Sequence, residues 1–433
     1  MLLIYVQRLT NRLGYSINVM MKHLLKTEFE ITTSREAFDK HEGAKFGYCE
    51  DPVGDSLWLQ PTSILFETSI QGQELHYHEY EGLPAIFPVY NRQSMLPFDV
   101  LAATFYMVSR YEEYLPHHTD VHGRFLAEES LAYQKGFLQT AIVDHWAIML
   151  RNKILERYPD AEFGKRTFEF VQTVDIDSAF CYRNKGFFRT LIGLARDILQ
   201  RKDFEAVAER FAVLTGKRED PYDTFEYLLD HKRSKLIFFV HLGDYGTYDK
   251  PTSYLNENFR DLLNHLADHA KMGIHPSYDV LEHPNKVAEQ TNRLHNIIHR
   301  DIKRSRFHFL RLSMPDSYRT LIEAEVLNDY SMGFAEEPGF RAGTCSTFPF
   351  FDLTDNHETQ LWIHPFCVMD TTLQKYKKMT PEEAMAAYRN LIDEIRSVEG
   401  KFSGIWHNQN LTDKKEWTGW RAVLEQTIDY AVR

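Results

Sequence analysis

The chain has 433 residues, of which 43% are hydrophobic and 26% are charged, so it can bury a large core. This length favours two domains over one. The formal net charge is −12, and clustered positive charge is what binding to nucleic acid requires, so nucleic acid is not expected as a partner. The same overall acidity argues against docking on an anionic membrane surface.

The cysteines are too few and too scattered for a disulfide framework, and none forms a CxxC pair. They are Cys49, Cys181, Cys345 and Cys367. Arg8 and Arg12 interrupt what would be the apolar part of a signal peptide, and no small-residue cleavage site follows. No window reaches the roughly 18 apolar residues that span a bilayer. We therefore expect a cytoplasmic protein without a membrane span.

The first part of the chain mixes short strands with helices. LLIYV predicts a strand, and NRLGYSINVMMKHLL has apolar residues at helical spacing. Residues 45–95 alternate and contain Pro and Gly, which is typical of short strands and turns. Apolar helices are predicted over 97–115 and 131–158. We predict an α+β accessory domain over residues 1–160, of unknown role.

From about residue 166, strand-like runs alternate with helical patterns, which indicates parallel βαβ units. The runs are residues 167–174, 235–242, 271–275, 306–312, 359–366 and 401–407. Several of them end on Asp or His. Chemistry at the carboxyl ends of parallel strands is typical of an α/β barrel. The predicted second domain covers residues 166–433.

The segment TVDIDSAF places two carboxylates at the end of a predicted strand. If the strand continues, Asp175 and Asp177 point to the same face. Two close like charges are costly unless a cation lies between them or one takes a proton. A metal with one Asp as ligand and the other as base would resolve this conflict, although a turn or helix-capping role is common for such residues.

Two further polar segments follow predicted strands. In GIHPSYD, His275 and Asp279 are ordinary ligand types for Zn²⁺ or a related ion. In PGFRAGT, a glycine-rich turn presents Arg341, which can pair bidentately with a carboxylate. Finally, GIWHNQNL ends a strand on His407, where a general acid could lie. Each of these residues alone also fits an ordinary loop or core position.

Taken in order, these segments resemble the polysaccharide deacetylase (NodB-homology) family of carbohydrate esterases over about residues 166–410. The resemblance implies a distorted (β/α) barrel of seven strands and a divalent metal, most simply Zn²⁺. TVDID is similar to the family's first motif with one residue inserted, which implies that Asp175 is the base and Asp177 a metal ligand. His275 matches the first metal His of the second motif, and Asp279 occupies the place of the second His.

The resemblance also assigns roles to the remaining motifs. Arg341 resembles the Arg that pairs with the base, and His407 resembles the His that protonates the leaving group. The implied activity is removal of an acetyl group from an N-acetylated sugar or polysaccharide precursor. Tyr278 and Trp406 are candidates to contact the sugar, and the first 160 residues resemble the accessory part of a divergent two-domain bacterial branch.

Two alternatives stay open. One is a degenerate barrel that only binds glycan or scaffolds a complex, which the missing second metal His favours. The other is a hydrolase on the same barrel that acts on a different C–N bond, such as that of a cyclic amide. The sequence leaves the oligomeric state open. In the first region, His117, His118, Asp120 and His122 are predicted to form an exposed polar loop more readily than a metal site.

Overall fold

The computed structural model describes residues 1–233 and 235–433 of the chain. Near the amino terminus lies a four-stranded parallel sheet in the order β2-β1-β3-β4. Its strands are β1 (Leu2–Val6), β2 (Phe29–Thr32), β3 (Lys45–Tyr48) and β4 (Leu57–Leu59). An antiparallel hairpin follows, formed by β5 (His78–Tyr80) and β6 (Leu83–Ala85). The predicted first strand is confirmed.

The helices of this first region are α1 (Asn11–Ile17), α2 (Arg35–Lys40), α3 (Val100–Val108), α4 (Leu131–Gln134) and α5 (Ile142–Arg157). α1 begins where the Thr10 hydroxyl accepts a hydrogen bond from the backbone N–H of Leu13. α3 is capped in the same way by Asp99, and all of its residues are buried. The helix predicted over 131–158 is two helices, because Gly136 adopts a positive φ between them.

A nine-stranded sheet begins at residue 169. Its strands are β7 (Glu169–Ile176), β8 (Lys235–Val240), β9 (Lys271–Ile274), β10 (Arg304–Ser305), β11 (Asn328–Asp329), β12 (Phe348–Asp352), β13 (His357–Ile363), β14 (Val368–Met369) and β15 (Lys401–His407). Their order is β12-β13-β11-β10-β9-β8-β7-β15-β14, and every neighbouring pair is parallel except β12 and β13. The predicted parallel α/β architecture is therefore confirmed.

The expected distorted (β/α) barrel of seven strands differs from this sheet, which has nine strands. Eight strands run parallel and one runs antiparallel. Within residues 1–233 and 235–433, no pairing joins the edge strands β12 and β14. The antiparallel strand β12 forms one edge of the sheet, and β14 forms the other.

Helices connect the strands of the second sheet. They are α6 (Phe187–Arg196), α7 (Phe204–Leu214), α8 (Phe225–Asp230), α9 (Glu257–His269), α10 (Asn285–Ile298), α11 (Asp316–Glu323), α12 (Pro381–Ser397) and α13 (Trp420–Val432). α6 continues directly into a π-helical turn, Asp197–Arg201. α12 starts with a capping box, in which Thr380 and Glu383 each bond the other's backbone N–H, and Pro381 takes the first helical position.

One buried apolar core runs through both regions. Tyr15 of α1, for example, packs on Phe351 of β12 and donates a hydrogen bond from its hydroxyl to the carbonyl of Pro349. The domain boundary near residues 160–166 stays a prediction. In the part of the chain that the structure describes, no helix is both long and apolar enough to cross a membrane.

The strand predicted over 306–312 is wrong. β10 ends at Ser305, and residues 308–310 form a short 3-10 turn in which Phe309 and Leu310 have positive φ angles. Left-handed backbone cannot continue a strand. This turn matters because it carries His308 to the carboxyl edge of the sheet.

Candidate metal centre

The site lies at the carboxyl edge of the second sheet, where the central strands end. Asp175 lies near the end of β7, opposite His407 at the end of the neighbouring strand β15. Asp177 follows β7 directly, and His275 follows β9. The structure therefore brings together four residues that the sequence predicted as site residues, because parallel strands present their carboxyl ends at one edge.

Asp175 is held by an arginine that the sequence did not single out. The guanidinium of Arg306 donates to Asp175 Oδ1 at 2.7 Å and to Thr173 Oγ1 at 2.9 Å. Its Nε donates to the carbonyl of Tyr330, and its plane lies over the ring of Phe239. Both ionic partners are buried. A buried, fully bonded guanidinium fixes the orientation of the carboxylate that it pairs with.

Asp177, His275 and His308 form a compact donor group. The distance from Asp177 Oδ1 is 3.3 Å to Nε2 of His275 and 3.7 Å to Nε2 of His308. Both histidines are buried, whereas Asp177 is partly exposed. Asp177 Oδ2 accepts a hydrogen bond from Gln409 at 2.8 Å, which leaves Oδ1 directed at the two imidazoles.

The other ring nitrogen of each histidine is already engaged. His275 Nδ1 donates to the carbonyl of Arg306 at 2.5 Å, and His308 Nδ1 donates to Asp249 Oδ1 at 2.8 Å. A neutral imidazole whose proton sits on Nδ1 presents a lone pair at Nε2. Nε2 of each ring is therefore the atom that could bind a cation beside Asp177. Its Oδ1 is buried without a hydrogen-bond partner among the described residues.

Imidazole nitrogens and a carboxylate oxygen that converge on one point are what a bound cation requires. Two imidazole nitrogens and one carboxylate oxygen match the three protein ligands of catalytic zinc sites. The bond from Asp249 to His308 is the outer-shell carboxylate contact that orients metal-binding histidines. The residues of this group thus fit a divalent metal.

Electrostatics agree with an anionic Asp177. Burial raises the pKa of this carboxyl, but the nearby imidazoles of His275 and His308 outweigh burial and lower the pKa well below its usual range. Burial likewise raises the pKa of Asp249, and its contacts with His241 and His308 lower the pKa below the usual range. Both carboxylates are therefore available as anions at neutral pH.

A second donor group overlaps the first. His241, Asp249 and His308 also lie close enough to surround an ion, with His241 Nε2 at 3.1 Å from Asp249 Oδ1. All three residues are buried, and two of them, His241 and Asp249, do not line the large cavity described below. It would also use His308 Nδ1, which is already bonded to Asp249. The group containing Asp177 is therefore the better candidate for a reactive site.

His407 lies on the other side of Asp175 and is oriented by Asp370. Its Nδ1 lies 2.7 Å from Asp370 Oδ1, and its backbone N–H donates to Asp370 Oδ2. Burial lowers the pKa of His407, but the charge and hydrogen bond of Asp370 outweigh burial and raise the pKa to about 9. His407 is thus protonated at neutral pH, as a general acid must be.

The predicted pairing of Arg341 with Asp175 does not occur. Arg341 forms a bidentate pair with Glu113 of the first region, at 2.8 Å and 2.6 Å. Arg110 donates to the same carboxylate and to the backbone carbonyl of Arg341. The glycine-rich loop carries Arg341 towards the first region instead of the sheet edge, and Arg306 takes the position beside Asp175.

Asp279 does not join the donor group. Its carboxylate accepts hydrogen bonds from Lys286 and from the Ser277 hydroxyl. Pro276 lacks the backbone N–H that would continue the strand after His275. Asp279 lies in the 3-10 turn that follows, away from the imidazoles. His308, from a different strand, supplies the third donor instead.

The two predicted sugar contacts also lie elsewhere. Trp406 is buried and stacks on Tyr388 with ring centroids 5.2 Å apart, so it belongs to the core. Tyr278 stacks on Tyr248 with ring centroids 4.2 Å apart, and its hydroxyl is hydrogen-bonded to His122 Nδ1. Tyr278 does not line the cavity described below. In the polar loop of the first region, Asp120 pairs with Arg124.

A cavity of about 860 Å³ opens onto the donor group. Its floor contains Asp175, Asp177, His275, His308 and His407. Its aromatic lining comprises Tyr182, Tyr222, Tyr248, Phe307, Phe309, Tyr376 and Trp417. A volume of this size accommodates a small organic ligand, and aromatic walls suit the apolar faces of sugar rings.

Sequence reasoning missed Arg306, His308, Asp249 and Asp370. Arg306 and His308 lie in SRFHFL, whose apolar residues predict a continuous strand and therefore no residue at the sheet edge. The alternation of Arg and His with Phe in that segment was the available signal. Asp249 lies in a loop and Asp370 follows a two-residue strand, so no pattern marked either of them.

Residues 2–159 match a family of unknown function, DUF7033. No curated protein sequence matches the chain significantly. The solved structures that align with it include an inferred polysaccharide deacetylase from Mycobacterium smegmatis, at 14% identity and a TM-score of 0.38. That alignment covers 61% of this chain and 84% of that one.

Two further structures align with 61% of the chain. One is the polysaccharide deacetylase Bc1974 of Bacillus cereus, with 12% identity and a TM-score of 0.29; the alignment covers 86% of that chain. The other is an inferred polysaccharide deacetylase involved in O-antigen biosynthesis in Bordetella bronchiseptica, with 12% identity and a TM-score of 0.30. That alignment covers 82% of the Bordetella chain. Sequence identities and TM-scores this low do not establish a function, which depends on the residues of the site.

Proposed function

We propose that the protein is a metal-dependent hydrolase that cleaves the amide C–N bond of an N-acetylated sugar or polysaccharide precursor. The observation that carries this proposal is the convergence of metal-ligand atoms on Asp177, His275 and His308. They lie beside the buried carboxylate of Asp175, which is hydrogen-bonded to Arg306 and to none of these three residues. A purely structural cluster would have its polar atoms paired with donors.

The three donors would hold a divalent ion, most simply Zn²⁺, because nitrogen and carboxylate ligands in this number suit zinc. When bound, such an ion supplies Lewis acidity, which acidifies water and polarises a carbonyl group. Asp249 orients His308 for this role, and the carbonyl of Arg306 orients His275.

The protein groups divide the proton transfers between them. Asp175, oriented by Arg306, accepts a proton from water as the water oxygen bonds to the acetamide carbon. The C–N bond then breaks, and His407 donates its proton to the departing nitrogen. The products are acetate and the free amine. Asp370 positions His407 for this step and favours its protonated form.

A carbohydrate substrate is supported by the cavity. Aromatic side chains such as Tyr248, Phe309 and Trp417 line it together with charged residues. Stacking surfaces with nearby hydrogen-bonding groups are suited to sugars, whose rings have apolar faces and polar edges. The competing hypothesis of a degenerate glycan-binding protein depends on a missing metal ligand, and His308 is a candidate for that ligand.

The test is acetate release from a panel of N-acetylated sugars by the metal-loaded protein, with cyclic imides as the competing panel. We expect Asp175→Asn to reduce turnover by at least about 100-fold, as loss of a general base does. Asp55→Asn, at an exposed position far along the chain, is the matched control. Full turnover in Asp175→Asn, or hydrolysis confined to cyclic imides, would overturn the proposal.

A further inference from the structure

The helix α6 and the turn that continues it present an apolar face to solvent. Large apolar side chains recur along this segment at helical spacing and are strongly exposed. They are Phe187 (75%), Phe188 (77%), Leu191 (51%), Ile192 (67%), Ile198 (39%) and Leu199 (74%). The adjoining helix α7 adds Phe204 and Phe211. Contiguous exposed apolar surface of this extent marks a binding face on a soluble protein.

The outward direction of this face is fixed by the opposite side of the helix. Gly193 lies so close to the guanidinium of Arg210 that an added Cβ would fall 2.9 Å from it. Asp197 pairs with Arg210 at 2.5 Å, and both are buried. The polar side of the segment is therefore anchored to α7, and the apolar side faces outward as a consequence of packing.

The charge of the segment is opposite to that of the whole chain. Residues 183–202 contain six basic residues and one acidic residue, Asp197, which gives +5 in a chain of net charge −12. The basic residues are Arg183, Lys185, Arg189, Arg196, Arg201 and Lys202. The acidic residues that follow on α7 are partly neutralised, since Asp203 pairs with Lys415 and Glu209 pairs with Lys414.

We propose that residues 187–201 dock in the plane of a bilayer that contains anionic phospholipid. An amphipathic helix with aromatic and aliphatic residues on one face and flanking Arg and Lys is suited to this interface. The basic residues would be attracted by the lipid headgroups while the apolar side chains enter the acyl boundary. The net negative charge of the whole chain argues against such docking, but this segment itself carries a net positive charge.

A second copy of the chain fits this face less well. In a symmetric dimer the segment would face itself, so a patch of +5 would oppose another patch of +5, and like charges across an interface are unfavourable. A lipid surface offers the complementary negative charge. The proposed occupant is therefore an anionic bilayer.

The docking face also adjoins the candidate metal centre. Lys185, Arg196 and Arg201 line the cavity whose floor holds the donor group. A bilayer on this face would lie beside the cavity mouth, which favours a substrate presented at the membrane surface. That last consequence rests on the proposed hydrolase, whereas the docking itself does not depend on catalysis.

The test is cosedimentation of the full chain with vesicles of phosphatidylcholine alone and of phosphatidylcholine mixed with phosphatidylglycerol. We expect binding to the anionic vesicles at least about tenfold stronger than to the neutral ones, and weaker binding at high salt. The variant Phe187→Ser/Phe188→Ser/Leu191→Ser should lose at least about tenfold in partitioning. Its control is Tyr90→Ser/Val121→Ser, which removes exposed apolar side chains elsewhere.

A second pair of variants tests the charge. Arg196→Glu/Lys202→Glu should weaken binding to anionic vesicles at least about tenfold, whereas Arg157→Glu on α5 should not. Wild-type protein that ignores anionic vesicles, or control variants that lose as much binding as the test variants, would overturn the proposal. Light scattering that shows a dimer dissociated by the apolar variant would assign the face to a second copy instead.

Discussion

Two buried arginines of this protein, Arg306 and Arg341, make similar contacts in different surroundings. Arg306 pairs with Asp175 at the edge of the second sheet, beside acceptors that lack donors. Arg341 pairs with Glu113, where Arg110 completes a cluster in which the carboxylate is bonded from both sides. Saturated hydrogen bonding indicates a structural brace, whereas unpaired acceptors indicate a site for a ligand.

These two arginines show that a sequence motif can identify an arginine without identifying the carboxylate with which it pairs. The segment GFRAGT resembles a catalytic motif, yet its arginine bridges the two regions of the chain. SRFHFL resembles none of the expected motifs, yet Arg306 and His308 lie at the site. Each arginine therefore predicts a different defect when it is removed.

The largest expected effects come from removing each arginine in turn. Arg306→Met leaves the buried carboxylate of Asp175 unpaired, which costs about 3–5 kcal/mol of folding free energy. Arg341→Met should cost less, because Glu113 keeps Arg110 as a partner. Only Arg306→Met should also lower kcat in the remaining folded protein, because Asp175 loses its orienting partner. Chemical denaturation and acetate release measure the two quantities. Equal kcat losses in both variants would show that Arg341 also serves catalysis.

Glu113 provides a pH test of the structural cluster. Burial raises the pKa of this carboxyl, but Arg341 and Arg110 outweigh burial and lower the pKa to about 2. Because the folded pKa lies below the unfolded value of 4.5, the pair stabilises the protein above pH 4.5. That stability, roughly 3 kcal/mol, is lost as pH falls from 4.5 to 2.

Glu113→Gln should therefore be less stable than wild type at neutral pH and should depend less on pH below 4.5. Urea unfolding at several pH values measures both effects. Glu36→Gln on the exposed helix α2 is the control, because its pair with Lys40 is solvent-exposed and contributes little. An unchanged acid dependence in Glu113→Gln would contradict the role of this cluster.

Asp249 tests the outer contacts of the donor group. Asp249→Asn keeps the shape of the side chain but weakens the contact that fixes the Nδ1 proton of His308. We expect metal affinity to fall about 10- to 100-fold, as is usual when such a partner is lost. Competition with a chelator measures the affinity, and Asp244→Asn, at an exposed position in the same loop, is the control. Unchanged affinity would remove Asp249 from the site.

The smallest expected effect concerns the alkaline limb of the pH–rate profile. His407 has a pKa of about 9 because Asp370 stabilises its protonated form, so activity that needs this proton falls as pH rises through that value. Asp370→Asn removes the negative charge, so the limb should move to lower pH by about one unit or more. A limb that stays in place would exclude His407 as the general acid.

The sequence predicted the parallel sheet and the strand ends that carry Asp175, Asp177, His275 and His407. These follow from local patterns, since long apolar runs form strands and parallel strands share one edge. His308 could not be predicted in this way, because β10 has only two residues and the turn after it depends on left-handed backbone at Phe309. The partner of Arg341 is 228 residues away in the chain, a distance that no local pattern spans.

The most direct test of the account is the metal content of purified wild-type, His308→Ala and Asp279→Ala proteins by elemental analysis. The donor group of Asp177, His275 and His308 predicts nearly one divalent ion per wild-type chain. It also predicts a similar content in Asp279→Ala and almost none in His308→Ala. Metal that persists in His308→Ala but disappears from Asp279→Ala would contradict the assignment of His308 as the third ligand.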